Sequence, residues 1–70
     1  MEGFLDFVAK IFEVPGDSIS LKTEQGSIPE WDSLMHLRLV AEIESEYQVI
    51  IPIDDVSKIT SLADFYQYID

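Results

Sequence analysis

The chain has 70 residues and no cysteine, so its stability must come from packing, without disulfides or a cysteine-based zinc site. Four basic residues against fourteen acidic ones leave a formal net charge of -10, which argues against nucleic acid and anionic membranes as partners because both need clusters of Lys and Arg. Hydrophobic residues make up 47% of the chain, which predicts a folded domain despite that charge.

The length of the chain and its membrane and targeting signals bear on its domain number and its location in the cell. Residues 1–70 are expected to form a single domain. No apolar run reaches the length of a membrane span, and the first residues lack the basic start of a signal peptide. We therefore expect a cytoplasmic monomer that binds no membrane, and whose acidic surface attracts partner proteins with basic patches.

The first predicted elements are an amphipathic helix and a long loop. Apolar residues recur at helical spacing from Phe4 to Phe12. The helix is expected to end near Val14, because Pro15-Gly16 cannot continue it. The stretch from Asp17 to Asp32 reads as a loop rich in Ser, Gly and Pro, which three apolar residues attach to the core: Ile19, Leu21 and Ile28.

A second helix is predicted from Ser33 to about Tyr47, with Asp32 as its N-cap. At about 100° per residue, its core stripe contains Leu39, Val40, Ile43 and Tyr47, with His36 among them. Met35 and Arg38 project to the solvated side. The apolar arc continues through Leu34, Leu37 and Ala41, which leaves two interpretations. Either these residues are buried, because a small bundle needs a broad buried surface or because the loop covers them, or they form an exposed contact surface beside Ser33.

The last third of the chain predicts two more helices. The apolar run from Val49 to Ile51 resembles a strand, but Pro52 and the lack of a partner strand argue against a sheet. Pro52 begins a short helix ending near Lys58, and Ser61 with Asp64 forms a capping box for a final helix. That helix carries Leu62, Phe65, Tyr66 and Ile69. The prediction is an all-α small four-helix bundle with three main helices and one short helix.

Ser33 stands out chemically because it lies at the start of the second helix. Its hydroxyl is expected to be exposed and to face the positive end of the helix dipole, where a phosphate ester is held favourably. The chain offers no catalytic apparatus around it. We therefore interpret Ser33 as an attachment point and the chain as a protein that is not an enzyme.

Other polar and aromatic residues have simpler explanations. His36 is the single histidine and lacks acidic neighbours at ligand spacing, so a packed core residue is favoured over a metal ligand, although a base role is conceivable. Trp31 either packs on the loop, which we favour, or flanks the attachment site. The pair Asp54-Asp55 lacks the rest of a calcium loop and favours a helix start instead. We predict no metal site.

The motif Asp32-Ser33-Leu34, followed by the acidic end of the second helix, resembles the pattern of the acyl carrier protein family. Asp32-Ser33-Leu34 is similar to the Asp-Ser-Leu signature at the start of that family's second helix. The stretch from Ala41 to Tyr47 resembles its acidic helix end with a closing aromatic residue. The blocks from Ile51 to Asp55 and from Lys58 to Leu62 resemble the starts of its third and fourth helices, so the likeness covers nearly the whole chain.

This resemblance implies a carrier with a covalent arm. Ser33 would receive 4'-phosphopantetheine from coenzyme A, donated by a separate phosphopantetheinyl transferase. The thiol of the arm would hold acyl groups as thioesters and present them to acyl-loading and acyl-processing enzymes, in fatty acid or polyketide biosynthesis. Asp32 would cap the helix and help to hold the transferase's metal. Leu34, Leu37, Arg38, Ala41 and Ile53 would meet partner enzymes.

Several departures from the family pattern bear on the pathway. Met35 and Arg38 stand where fatty-acid carriers usually have acidic residues, and Ile50 and Ile53 are more apolar than usual. These differences favour a specialised pathway over housekeeping fatty-acid synthesis. Two alternatives stay open: an aminoacyl or peptidyl carrier, whose serine more often follows Gly-Gly or Gly-His, and an arm-free acidic helical module that binds proteins.

Overall fold

The computed structural model describes residues 2–69. Over this range the chain forms four α-helices: α1 (Glu2–Phe12), α2 (Ser33–Tyr47), α3 (Ile53–Val56) and α4 (Leu62–Tyr66). The backbone pairs as β-structure only at an isolated bridge between Glu24 and Ser61 within the described residues. The all-α four-helix prediction is therefore confirmed, and the apolar run from Val49 to Ile51 is an irregular connection.

Helix α1 ends two residues earlier than the proline suggested. Glu13 adopts a left-handed conformation at φ 61°, and its N–H donates to Lys10 O at 3.3 Å. The N–H of Val14 donates to Ala9 O at 3.0 Å, which completes a Schellman motif. The chain then enters a 3-10 helix at Gly16–Ser18, a short element within the segment that the sequence led us to expect as loop.

Helix α2 has the predicted bounds and a well-defined cap at each end. Asp32 accepts a hydrogen bond from Met35 N at 2.9 Å, and Gln48 closes the helix in a left-handed conformation at φ 55°. Leu39 and Ile43 are fully buried, as the core stripe predicted. Met35 differs from the prediction: it is half-buried against the core, because a helix in a bundle is covered from more than one side.

The long loop is attached to both the core and α4. Ile19 is buried, and Leu21 and Ile28 are partly buried against the core, as predicted. Three backbone hydrogen bonds join the loop to the region around α4: Gln25 N to Thr60 O, Leu62 N to Thr23 O and Ala63 N to Leu21 O, all between 2.9 and 3.0 Å. These three bonds give the loop a defined path, which explains how a small domain accommodates so long a loop.

Helices α3 and α4 are both short. The capping box at α4 is confirmed, since Ser61 Oγ accepts from Asp64 N and the Asp64 carboxylate accepts from Ser61 N. Regular α-helix ends at Tyr66, earlier than the spacing of Ile69 suggested. Beyond it the N–H groups of Tyr68 and Ile69 donate to carbonyls three residues back, so the end tightens into 3-10-type turns.

One apolar core joins all of these elements. The radius of gyration is 10.8 Å, close to the roughly 11 Å expected for a compact chain of this length. Among the described residues, fifteen apolar side chains are buried and His36 is the buried polar one. The largest fully buried side chains are Trp31, Phe65, Leu39, Ile43, Leu62 and Val8.

Candidate functional site

Ser33 is exposed and is the first residue of α2. Asp32 precedes it in an extended conformation, and two of its oxygens bind the first turn: Oδ1 accepts from Met35 N, and the backbone carbonyl accepts from His36 N, each at 2.9 Å. The Asp32 cap is therefore confirmed. These bonds place the serine hydroxyl at the open end of a 15-residue helix.

The N-terminus of α2 suits a phosphate ester on this hydroxyl. The N–H groups of Ser33 and Leu34 belong to the first turn, which has no preceding carbonyls to accept from them. Those donors and the helix dipole together favour a negative charge. Because Ser33 is exposed, a bulky phosphodiester there displaces no packed side chain, and the residues present fit a 4'-phosphopantetheine group.

The loop before Ser33 is held by a tight turn and a buried anchor. Gly26 adopts φ 85°, a conformation that L side chains rarely adopt, and its N–H donates to Trp31 O at 3.1 Å. Trp31 is fully buried and packs against Phe12 and Phe65, with ring centroids at 5.7 and 6.2 Å. Trp31 is packed, as we favoured, but it packs in the core against α1 and α4 and not on the loop, and this anchor sets where the chain enters α2.

Trp31, His36 and Val56 form a hydrogen-bonded chain behind the serine. The indole Nε1–H of Trp31 donates to His36 Nδ1 at 3.0 Å. Since Nδ1 accepts, the proton of the neutral imidazole is on Nε2, which donates to Val56 O at 2.9 Å. Both ring nitrogens are thus occupied, so the packed interpretation of His36 is confirmed and no ring nitrogen is left to act as a base at Ser33.

A groove of about 400 Å³ begins at Ser33 and runs between α2 and α3. Leu37 and Ile53 line it from the exposed side, and His36 and Val56 are its buried lining residues. Gln25 and Ser57 complete the lining. The sequence did not indicate Gln25, Val56 or Ser57. The one sequence feature that could have pointed to the buried side of the groove was His36, because a lone histidine in a core stripe must find hydrogen-bond partners.

Helix α3 forms one wall of this groove and is attached through side-chain hydrogen bonds. Glu44 Oε2 accepts from Ile51 N at 2.8 Å just before the helix. The hydroxyl of Tyr68 donates to Asp55 Oδ2 at 2.9 Å, and this bond to a carboxylate raises the pKa of the Tyr68 phenol. Contacts from α2 and from the C-terminal turns therefore fix a helix of four residues.

The predicted partner residues are all exposed, but they fall into two groups. Leu37 and Ile53 meet Ser33 at the groove, with 58% and 82% of their surfaces exposed. Three others lie on α2 outside the groove lining: Leu34, which is 79% exposed, Arg38 and Ala41. The loop therefore does not bury this apolar strip. Arg38 Nε lies 3.5 Å from Glu42 Oε2, an exposed pair one turn apart.

The described helices contain no segment long and apolar enough to cross a membrane.

The family model described as the phosphopantetheine attachment site matches residues 2–69. Because this match spans nearly the whole chain, the protein belongs to that family. It is a phosphopantetheine carrier, and the carrier domains of this family are not enzymes themselves. They bear a covalently attached 4'-phosphopantetheine and interact with phosphopantetheinyl transferases and biosynthetic enzymes. No curated protein matches the chain significantly.

Proposed function

We propose that this chain is an acyl carrier whose 4'-phosphopantetheine arm is attached to Oγ of Ser33. The observation that carries the proposal is the exposed hydroxyl of Ser33 on the first residue of a capped 15-residue helix. Family membership favours this class over an arm-free interaction module, because the family's carriers bear the arm covalently.

Attachment requires only a hydroxyl from this chain. A bond forms between Ser33 Oγ and the phosphorus that carries pantetheine in coenzyme A. The pyrophosphate bond of coenzyme A breaks, adenosine 3',5'-bisphosphate leaves, and the serine proton passes to a base of the transferase. We propose that the carboxylate of Asp32 contacts the transferase's metal during this step, a role that its exposed position supports.

The surface proposed to meet partner enzymes is made of the residues that flank Ser33 on α2 and α3. Exposed apolar side chains are costly to leave in water and are a common feature of binding surfaces. Arg38 adds a positive charge within a chain of net charge -10. The proposed surface comprises Leu34, Leu37, Arg38, Ala41 and Ile53.

We propose that the pathway is a specialised one and that the cargo is an acyl group. Met35 and Arg38 replace the acidic residues that fatty-acid carriers usually have on α2. Arg38 is exposed on the surface proposed to meet partner enzymes. A charge reversed at an interface disfavours one partner and admits another. The mass of the natural cargo on Ser33 distinguishes an acyl group from an aminoacyl group.

The test is loading with coenzyme A and a broad-specificity phosphopantetheinyl transferase, followed by intact mass. We expect one arm on the wild-type chain and none on Ser33→Ala. Ser45→Ala, which removes another exposed serine of the same helix, is the matched control and should load normally. Loading that persists in Ser33→Ala would show that the arm is attached elsewhere.

A further inference from the structure

The groove beside Ser33 has a closed floor. His36 and Val56 line it, although they are only 6% and 8% exposed, and the bond from Nε2 to Val56 O joins them at 2.9 Å. This bond connects α2 to α3 at the place where a molecule entering the bundle from Ser33 would have to pass between the two helices.

Aromatic rings fill the space behind that floor. The indole of Trp31 lies beside the imidazole of His36 and nearly parallel to it, with centroids 5.8 Å apart and an interplanar angle of 20°. Phe65 lies 5.5 Å from the imidazole, and both Trp31 and Phe65 are fully buried. Protein interiors packed in this way have no room for an added alkyl chain unless side chains move.

Opening the floor also breaks hydrogen bonds that water cannot easily replace. Moving His36 aside would leave the Trp31 indole N–H and the Val56 carbonyl without their present partners. Buried polar groups that lose their partners pay the full cost of desolvation. Among the side chains that the structure describes, no buried nitrogen or oxygen lacks a partner, so the closed arrangement is fully satisfied.

We infer that a group carried on Ser33 stays outside the helical bundle, in the groove, and that His36 is the residue that closes the interior to it. This inference rests on the proposed function. The groove offers the polar side chains of Gln25 and Ser57 beside the apolar Leu37 and Ile53. It therefore fits short acyl groups with hydrogen-bonding atoms, while a long alkyl chain can cover only the exposed side chains of Leu37 and Ile53.

The test compares the protein loaded with acetyl-4'-phosphopantetheine and with decanoyl-4'-phosphopantetheine from the corresponding acyl-coenzyme A. Intact mass first establishes loading, so a failure to load Ser33 counts against the proposed function and not against this inference. For the wild-type chain we expect equal melting temperatures with the two cargoes and unchanged methyl chemical shifts for the fully buried Leu39. A higher melting temperature with decanoyl, together with shifted Leu39 methyls, would overturn the inference.

Variants test whether His36 closes the interior. His36→Ala leaves a space behind the groove, so the decanoyl form should melt above the acetyl form by about 4 °C or more. His36→Ser also removes the imidazole but keeps a polar side chain, and it serves if His36→Ala does not fold. Leu37→Ala, on the exposed wall, is the control and should show no difference between cargoes. A folded His36 variant that also shows none would refute the role of His36.

Discussion

At the scale of single residues, Asp32 caps α2 and has a second, proposed role at the transferase's metal, and different substitutions separate the two. Asn caps helices as well as Asp does, so Asp32→Asn should keep the bond to Met35 N and the melting temperature. It removes the charge proposed to contact the transferase's metal, so loading of Ser33 should slow by about ten-fold or more. Melting curves and loading rates by mass measure the two effects.

Asp32→Ala provides the comparison for the cap. It removes the side-chain acceptor as well as the charge, and should lower stability by about 1 kcal/mol in addition to slowing the loading. If Asp32→Asn loads at the wild-type rate, Asp32 is a helix cap alone.

Leu39 and Leu37 lie on the same helix and form a matched pair. Leu39 is fully buried, so Leu39→Ala should cost about 2–5 kcal/mol, which is enough to unfold a marginal small domain. Leu37 is 58% exposed, so Leu37→Ala should cost far less and should instead slow acyl transfer to the cognate enzyme. Thermal melts and transfer rates measure the two properties. Equal destabilisation by both variants, with unchanged transfer by the folded fraction, would place the partner surface elsewhere.

Substitutions of Arg38 test whether its positive charge at the proposed partner surface selects the partner enzyme. Its pair with Glu42 is exposed, and such pairs contribute little to stability, so Arg38→Glu should barely change the melting temperature. Transfer to the cognate enzyme should fall while transfer to an enzyme with a basic patch rises. Arg38→Gln separates loss of the positive charge from its reversal. Unaltered partner preference in both variants would exclude Arg38 from the interface.

At the scale of elements, α4 has five residues and depends on its cap. Asp64 Oδ2 accepts from Thr60 N at 2.9 Å and from Ser61 N at 3.2 Å. The bond from Thr60 N is the main reason that the pKa of Asp64 lies below its ordinary value of 3.8. The carboxylate therefore stabilises the fold above about pH 4, and this contribution disappears as the pH falls through the lowered pKa.

Asp64→Asn should therefore be less stable than the wild-type chain at pH 6, by about 1 kcal/mol for a weakened cap. The difference should shrink at acid pH, as the pH falls through the lowered pKa of Asp64 and the wild-type carboxyl itself becomes neutral. Denaturant unfolding at both pH values measures it. Asp54→Asn, which removes an exposed acid from the first turn of α3, is the control for the change in net charge. A difference that is constant with pH would contradict the role of the charged cap.

At the scale of the whole molecule, charge opposes folding. The chain has fourteen acidic residues and its described part spans about 28 × 22 × 17 Å, so many like charges there lie within a Debye length of one another at low salt. Screening relieves this repulsion, and the melting temperature should rise from low to moderate salt. Glu46→Gln, which removes one exposed negative charge, should reduce that rise. A melting temperature that is flat or falls with salt would show that self-repulsion is not significant.

Most of the secondary structure follows from local interactions and could be predicted. The Asp32 cap, the Ser61–Asp64 capping box and the bounds of α2 depend on residues three or four positions apart. Such contacts are encoded by spacing alone. The same reasoning put Ser33 at a helix start. It failed at the end of α1, because a Glu with a positive φ ends that helix before the proline is reached.

By itself, then, the sequence determined the helices, the acidic surface and the exposed serine at the start of α2, since each depends on composition or on near neighbours. Only the tertiary structure decided that Leu37 faces solvent, that α4 is short, and that His36 links Trp31 to a carbonyl twenty residues away. A helical projection assigns a residue to a side of its own helix but cannot say what covers that side. That depends on how distant segments pack, and in this chain such packing closes the floor of the groove beside Ser33.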